Sequence, residues 1–453
     1  MIMTAIRKLF PKPIRNLWHL LLAWFGAVKY RHPSEKILVI GITGTSGKSS
    51  TIFFLRQLLE DSGYKVGSLS TIDFYIAGES KLNDQKMTML GRMQIQKYLR
   101  LMVDKGCQIA IVETTSEGAV QYRNRFINYD LMVLTNLYPE HIEAHGSFEN
   151  YKKAKLGIFN YASRYGNGKK DALKLGFKSL KKDGCSEIKK TVIINGDSEY
   201  ANEFLNSGRF DQKFIFGYKD DPYQGVDGAF QAKNVAVDDQ GLHFEVDQNH
   251  FDTKIFGKHN ILNILSAITV LRNLGRNWST IQDSVCTLTT PPGRIEFVNE
   301  AEKFGFKIIV DYAFEPVALQ ALYEVVQLLK PKRVIHVCGS TGGGRDKSRR
   351  RPIGRLVGQK ADIFIVTDED PYEEDPLEIM KEVSIGAVES GKIISKNLFE
   401  IPNRREAIKK AVEIALPGDL ILITGKGSEQ AMCVAGDRKI LWDDRQIVRE
   451  FLG

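Results

Sequence analysis

The residues with the strongest claim to chemistry run from Gly41 to Ser50, GITGTSGKSS, where glycines alternate with hydroxyl residues ahead of a lysine. Gly41, Gly44 and Gly47 let backbone N–H groups close around phosphate oxygens. Thr45 sits between them, Lys48 supplies charge to the terminal phosphates of a nucleoside triphosphate, and the hydroxyl of Ser49 or Ser50 serves the Mg²⁺ that travels with it. The spacing departs from G-x-x-x-x-G-K-[ST], because Ile42 stands where the first glycine would; the run is the narrower T-G-T-x-G-K-S. The apolar Ile37–Ile40 before it, and Phe53, Phe54, Leu55, Leu58 and Leu59 after it, predict strand, loop and helix in the order such a site needs. A glycine-rich turn with an incidental lysine is the competing reading, and those flanking elements disfavour it.

The elements that must position this loop read as alternating strands and helices. Val66–Ser70, Ile109–Glu113 and Leu131–Thr135 predict further parallel strands. Ligands gather at the carboxyl ends of such strands, which directs Glu113 and the segment after Asn136 towards the phosphate loop. His141, His145 and Lys155 follow closely. A His-x-x-x-His pair alone is weak ground for a metal site, since packing histidines are commoner. Pro291-Pro292-Gly293 breaks the chain before a strand at Ile308–Tyr312, and Val334–Cys338, Ile363–Thr367 and Leu420–Thr424 extend a second, mostly parallel sheet. The expected fold is α/β in three parts: an N-terminal helical segment (1–36), a central P-loop ATPase domain with a mostly parallel sheet (37–292), and a C-terminal α/β domain with a dinucleotide-fold-like sheet (293–453).

A chain of 453 residues with 43% hydrophobic content is long enough for two or three ordinary cores. Its five cysteines are scattered, odd in number and without metal-ligand spacing, which suits a reducing cytosol. The net charge of +8 is concentrated at the N-terminus and in 164–190, where eight lysines stand with few aromatics. That second cluster reads as a solvated surface insert, and no nucleic-acid partner is expected. Near the N-terminus, Leu17–Val28 (LWHLLLAWFGAV) is almost wholly apolar, with Arg7, Lys8, Lys12 and Arg15 before it and Lys29 and Arg31 after. A membrane-spanning helix needs about 20 such residues. Two readings stand: residues 14–31 lie in a membrane interface through Trp18, Leu21, Leu22, Trp24 and Phe25, or they dock on the protein's own core.

In series, these segments resemble the Mur ligase superfamily, the ATP-dependent amide-forming enzymes of peptidoglycan precursor synthesis. The resemblance rests on TGTSGKSS (43–50), VETTSEG (112–118), TNLYPEHIEAHGSFENYKKAK (135–155), GKHNILN (257–263), PPGRIE (291–296), VDYAFEP (310–316), GSTGGGRDKSRRRP (339–352) and ITGKGSEQ (423–430). The GRDK run, DEDP and GKG-x-E are most like the tripeptide synthetase branch, which adds the third residue of the stem peptide. The resemblance implies ATP and Mg²⁺ as cofactors. Gly44, Gly47 and Lys48 would meet the phosphates; Ser49, Glu113, His141 and a carbamylated Lys155 would hold metal. Asn260, Asn263, Arg294 and Asp311 would contact nucleotide, and Lys347 would act during turnover. His145, Arg345, Glu369, Asp370, Tyr372, Gly425 and Glu429 would lie at the substrates, a UDP-linked muramoyl peptide and a free amino acid. A cytoplasmic monomer, at the inner face of the membrane if residues 14–31 bind there, completes the expectation.

Three departures qualify that pattern. The phosphate loop begins about 40 residues in, too early for a separate UDP-binding domain, since domains are seldom under about 50 residues. Phe314 and Ser428 stand where the family carries histidines. Tyr372 stands where diaminopimelate-adding relatives carry an arginine, and its phenol cannot replace a guanidinium against a second carboxylate. The segment Asp368–Asp375, DEDPYEED, holds six acids and no base. It therefore predicts lysine or ornithine over diaminopimelate, with Asp370 and Glu429 meeting the side-chain ammonium, or else Arg349 or Arg350 replacing the missing arginine. Folylpolyglutamate synthase-like glutamate ligases, and a catalytically silent nucleotide-binding relative, are the alternatives.

Overall fold

The structure, a computed structural model, describes residues 11–83, 87–139, 145–165, 188–219, 223–344 and 347–453. The chain forms two compact units that divide between Thr289 and Thr290.

In the first unit a nine-stranded sheet carries the glycine loop. Its strands are β1 (Leu38–Thr43), β2 (Val66–Leu69), β3 (Asp73–Ile76), β4 (Glu79–Leu82), β5 (Ile109–Glu113), β6 (Leu131–Leu134), β7 (Thr191–Asn195), β8 (Gln212–Gly217) and β9 (Gly228–Gln231). They lie in the order β4-β3-β2-β5-β1-β6-β7-β8-β9. All neighbours are parallel except the β2-β3-β4 edge. The central strands read as unbroken apolar runs because both faces are covered, and every residue of β1, β5 and β6 is buried. β1 lies between β5 and β6, where the chain changes direction across the sheet; its carboxyl end opens on the crevice that such a reversal leaves.

The helices of this unit are α1 (Lys12–Lys29), α2 (Lys48–Asp61), α3 (Arg92–Asp104), α4 (Ser116–Val120), α5 (Phe148–Arg164), α6 (Ala201–Leu205), α7 (His259–Asn273) and α8 (Trp278–Cys286). Side-chain caps fix the ends nearest the loop: Thr115 Oγ1 accepts from Gly118 N, and Ser147 Oγ from Asn150 N. α2 and α7 cover one face of the sheet through Phe54, Leu55, Leu58, Ile264, Ile268 and Leu271. A separate antiparallel sheet, β10 (Lys233–Val237), β11 (Leu242–Val246) and β12 (Asn249–Thr253), adds Phe244 and Phe251 to that core.

α1 packs on α3 through its small residues. Ala23 and Ala27 are buried, and a Cβ on Gly26 would lie 3.2 Å from Met93 Cα. Its large apolar residues, Trp18, Trp24 and Phe25 among them, remain about half exposed. Among the described residues no helix is long and apolar enough to cross a membrane.

The second unit holds a six-stranded sheet of β13 (Glu296–Phe297), β14 (Lys307–Asp311), β15 (Arg333–Cys338), β16 (Ile363–Val366), β17 (Leu398–Glu400) and β18 (Asp419–Thr424), ordered β13-β14-β18-β15-β16-β17 and parallel except at β13. A hairpin, β19 (Ala431–Val434) and β20 (Arg438–Leu441), follows it. The helices are α9 (Pro316–Leu329), α10 (Arg350–Lys360), α11 (Pro376–Glu389), α12 (Arg404–Glu413) and α13 (Asp444–Leu452). Arg404 ties α12 to α13 by a two-point pair with Asp444, at 2.9 and 2.7 Å, both side chains fully buried.

Candidate active site

The loop from Gly44 to Gly47 leaves β1 and turns into α2 with no room for side chains on its glycines. A Cβ at Gly44 would fall 1.9 Å from Thr135 Oγ1, and one at Gly47, where φ is +75°, would fall 2.4 Å from Asn263 Oδ1. Residues just after β6 and on α5 hold the loop's shape. Asn136 Oδ1 accepts from Thr45 N at 3.0 Å and Ser46 N at 2.9 Å, Thr135 Oγ1 donates to Ser46 O at 2.7 Å, and Tyr151 OH donates to Thr45 Oγ1 at 3.1 Å. Lys48 Nζ donates to Gly44 O at 3.0 Å and Thr45 O at 2.8 Å, which keeps its charge over the loop.

Two further groups meet there. Ser49 Oγ donates to Glu113 Oε2 at 3.0 Å, and the same oxygen accepts from Thr71 N at 2.7 Å and Thr71 Oγ1 at 3.0 Å. Glu113 is thus a buried carboxylate aimed at the first turn of α2. Lys155, on α5 and equally buried, donates to Gly44 O at 2.7 Å and Thr43 Oγ1 at 3.3 Å. From α7, Asn263 Oδ1 accepts from Thr51 Oγ1 at 3.3 Å and its Nδ2 donates to Asn260 Oδ1 at 2.9 Å, so both asparagines border α2 beside Gly47. Ser50 is half-buried in the same turn. His145 lies at α4, its Nε2 3.1 Å from Ser116 Oγ. His141 lies outside the described residues, as does Arg345.

In the second unit Asp311 accepts from Ile295 N and Ala313 N, both at 2.7 Å, and so joins the backbone after Arg294 to the end of β14. The Arg294 guanidinium lies 4.1 Å from the Tyr312 ring centre. Lys347 is exposed and pairs with Glu374 at 2.8 Å. Arg350 pairs with Glu374 at 2.9 Å and with Glu382 at 3.2 Å. Hydrogen bonds from Lys347 and Arg350 hold the Glu374 carboxyl at about 2.

The acidic segment needs correction. Lys426 Nζ, fully buried, lies 2.9 Å from each Asp370 oxygen, 2.5 Å from Glu429 Oε2 and 2.8 Å from Ala431 O. Asp370 also accepts from Cys433 N at 2.6 Å. Asp370 and Glu429 therefore meet an ammonium belonging to the protein, and the charge argument for an ammonium-bearing substrate loses its footing. Of the two arginines considered for the role of the one missing at Tyr372, Arg349 lies 5.2 Å from the Phe314 ring centre and the buried Arg350 is paired with Glu374. Glu369 is buried, accepts from Thr341 Oγ1 at 2.7 Å, and has its pKa raised by burial. A Cβ on Gly425, where φ is +106°, would strike its Oε2. Tyr372 takes a positive φ of 53° and joins Gly343, Gly344, Glu373, Arg438 and Lys439 around a pocket of about 460 Å³.

Sequence reasoning gave no role to Thr71, which completes the Glu113 contacts, or to Lys426. Thr71 carries no motif and is visible only as the second residue after β2; Lys426 lies inside the GKGSE run.

Residues 42–271 match the family described as the Mur ligase middle domain, and residues 293–427 match the Mur ligase, glutamate ligase domain. The chain is 31% identical over 435 residues to UDP-N-acetylmuramoyl-L-alanyl-D-glutamate--2,6-diaminopimelate ligase 1 of Clostridium acetobutylicum, covering 95% of this chain and 81% of that protein. It is also 31% identical to the UDP-N-acetylmuramyl-tripeptide synthetase of Borreliella afzelii, covering 94% of this chain and 79% of that one. Among solved structures, Mycobacterium tuberculosis folylpolyglutamate synthase is similar in fold, with a TM-score of 0.66, 16% identity, and coverage of 96% of this chain and 95% of that one.

Proposed function

The chain belongs to the Mur ligase family, and we propose that it joins an amino acid to a UDP-N-acetylmuramoyl peptide with ATP, as a cytoplasmic enzyme of peptidoglycan precursor synthesis. The observation that carries this reading is the convergence of Lys48, Ser49, Glu113 and Lys155 on one loop at the carboxyl end of β1. The amides of the loop and Lys48 hold the β- and γ-phosphates, with Asn260 and Asn263 beside the nucleotide. Ser49 and Glu113 offer the hard oxygen donors that Mg²⁺ takes, and His141 and a carbamylated Lys155 complete its set; bound there, the ion offsets phosphate charge. A carbamylated Lys155 keeps one N–H for the Gly44 carbonyl while its new carboxylate turns a cation into an anion.

In the reaction, an oxygen of the acceptor carboxylate attacks the γ-phosphorus and ADP leaves. The amino group then attacks the acyl carbon and loses a proton, and phosphate departs with the carboxylate oxygen. No side chain needs to form a covalent bond. Catalysis is positioning and charge neutralisation by the loop and Lys48. Residues 14–31 bring the monomeric enzyme to the inner face of the membrane.

Two readings of the amino acid rest on opposite features of the Tyr372 pocket. Its Glu373 and Asp437 favour lysine or ornithine, Glu374 being taken up by Lys347 and Arg350; its Arg438 and Lys439 favour the second carboxylate of diaminopimelate. Glutamate addition to a folate-like acceptor draws support from the end-to-end fold match with folylpolyglutamate synthase, whereas the 31% identities lie with muramoyl-peptide ligases. A silent nucleotide-binding relative has no need to keep Lys48, Glu113 and Lys155 together. Phosphate release from ATP, measured with UDP-N-acetylmuramoyl-dipeptide and with a folate acceptor against lysine, ornithine, diaminopimelate and glutamate, separates these readings. Release that requires the muramoyl peptide supports the proposal, and release with folate and glutamate alone overturns it.

A further inference from the structure

Helix α1 spends its small residues on α3 and leaves its large ones facing outward. Leu17, Trp18, Leu21, Trp24, Phe25 and Val28 recur at helical spacing and are each 44–58% exposed. The helix and the two residues after it contain no acid, while Arg15, Lys29 and Arg31 lie along them. At its carboxyl end the chain turns sharply, with Arg31 and His32 both at positive φ, 58° and 45°. That turn brings Lys29, Arg31 and Lys36 together with Arg100 of α3 around a surface pocket of about 330 Å³, whose acid is Asp104. Asp104 is engaged by Arg100, and the lining carries four cations against this one acid. An apolar face ending in a cationic pocket has the chemistry of a phospholipid: acyl chains beside an anionic phosphate.

We propose that the pocket of Lys29, Arg31, Lys36 and Arg100 binds the headgroup phosphate of an anionic membrane lipid while the exposed face of α1 lies among the acyl chains. This rests on the placement of the enzyme at a membrane and adds the lipid class and the residues that read it. Charge selects this occupant over a second copy of the chain, because pairing two such faces would set basic ends against each other, whereas an anionic leaflet attracts them. Trp18 and Trp24 have the amphipathic rings that prefer the headgroup level.

The test is co-sedimentation of the full-length protein with vesicles of phosphatidylcholine alone or mixed with phosphatidylglycerol. Phosphatidylglycerol should strengthen binding by about tenfold or more, and Arg31→Glu with Lys36→Glu should remove that increment, since each juxtamembrane cation is worth roughly a fivefold change. Trp24→Ser should weaken binding to both vesicle types. Thermal unfolding checks that these exposed substitutions leave the fold intact. Equal binding to both vesicle types, unmoved by the charge reversals, overturns the phosphate pocket and leaves the membrane placement standing. Absence of binding to either overturns both, and a dimer in sedimentation velocity that Trp24→Glu dissolves then assigns the face to a second copy.

Discussion

Replacing Lys426 by methionine removes the ammonium that both Asp370 oxygens contact at 2.9 Å. Asp370 is 5% exposed and Lys426 not at all, so solvent cannot take over the charge. Breaking a buried pair by deleting one partner costs about 3–5 kcal/mol, because the survivor is left uncompensated. The Cys433 amide retains its 2.6 Å bond to Asp370 and offsets part of the loss. Glu429, whose Oε2 also loses a donor, is partly exposed and adds little. The expected loss is therefore about 3 kcal/mol, concentrated where β18 meets the hairpin β19-β20. Hydrogen exchange of peptides spanning 419–434 reads it as roughly hundredfold faster opening. Adding Asp370→Asn to Lys426→Met should recover most of the loss, since the orphaned charge goes with it. A loss under about 1 kcal/mol would refute the structural role given to this pair. So would Asp370→Asn alone raising KM for a diamino acid with exchange unchanged, which would return Asp370 to the substrate.

Lys48→Ala should lower ATP turnover by about a thousandfold or more, given the charge it brings to the phosphates, while thermal stability shifts little because it gives up only two part-buried bonds, to the Gly44 and Thr45 carbonyls; retained ligation would remove the phosphate-loop assignment. Lys155→Ala should be nearly inactive and regain turnover with short-chain carboxylates that reoccupy the anionic position, whereas full activity without additive excludes carbamylation. His336 is buried between Tyr323 OH at 2.7 Å and Thr424 Oγ1 at 2.9 Å. Burial, and then the charge of Arg404, lower its pKa to about 3 from 6.5. The unfolded chain therefore takes up a proton that the fold refuses. This contribution to stability is complete above pH 6.5 and falls by about 1.4 kcal/mol per pH unit towards pH 3. Urea titrations over that window should show a slope steeper by about that amount in the wild type than in His336→Asn.

The glycine loop between β1 and α2 and the buried parallel strands were legible because both have local signatures. Glycine, lysine and serine spacing marks the loop, and strands covered on two faces appear as apolar runs, so β5 stands where the run Ile109–Glu113 predicts it and β15 and β18 differ from expectation by a residue at one end. The hairpin strand β4, Glu-Ser-Lys-Leu, is almost wholly exposed and leaves no apolar pattern to read. β11 does alternate buried and half-buried residues, but over five residues only. The acidic segment misled for a different reason. Its partners are remote in sequence, Lys426 lying 56 residues beyond Asp370 and Arg350 24 residues before Glu374, so acids that look unpaired locally are paired in space. Likewise α1 looked like a choice between membrane and core, and its small and large residues divide between two faces.

The central claim, amide formation through an acyl phosphate, is tested most directly by oxygen transfer. UDP-N-acetylmuramoyl-dipeptide labelled with oxygen-18 in its acceptor carboxylate is incubated with ATP, the amino acid that supports turnover and the enzyme, and the released phosphate is analysed by mass spectrometry. The reaction proposed here moves one labelled oxygen into phosphate for each amide formed. Amide formation with unlabelled phosphate would contradict it, as would phosphate release with no amide product.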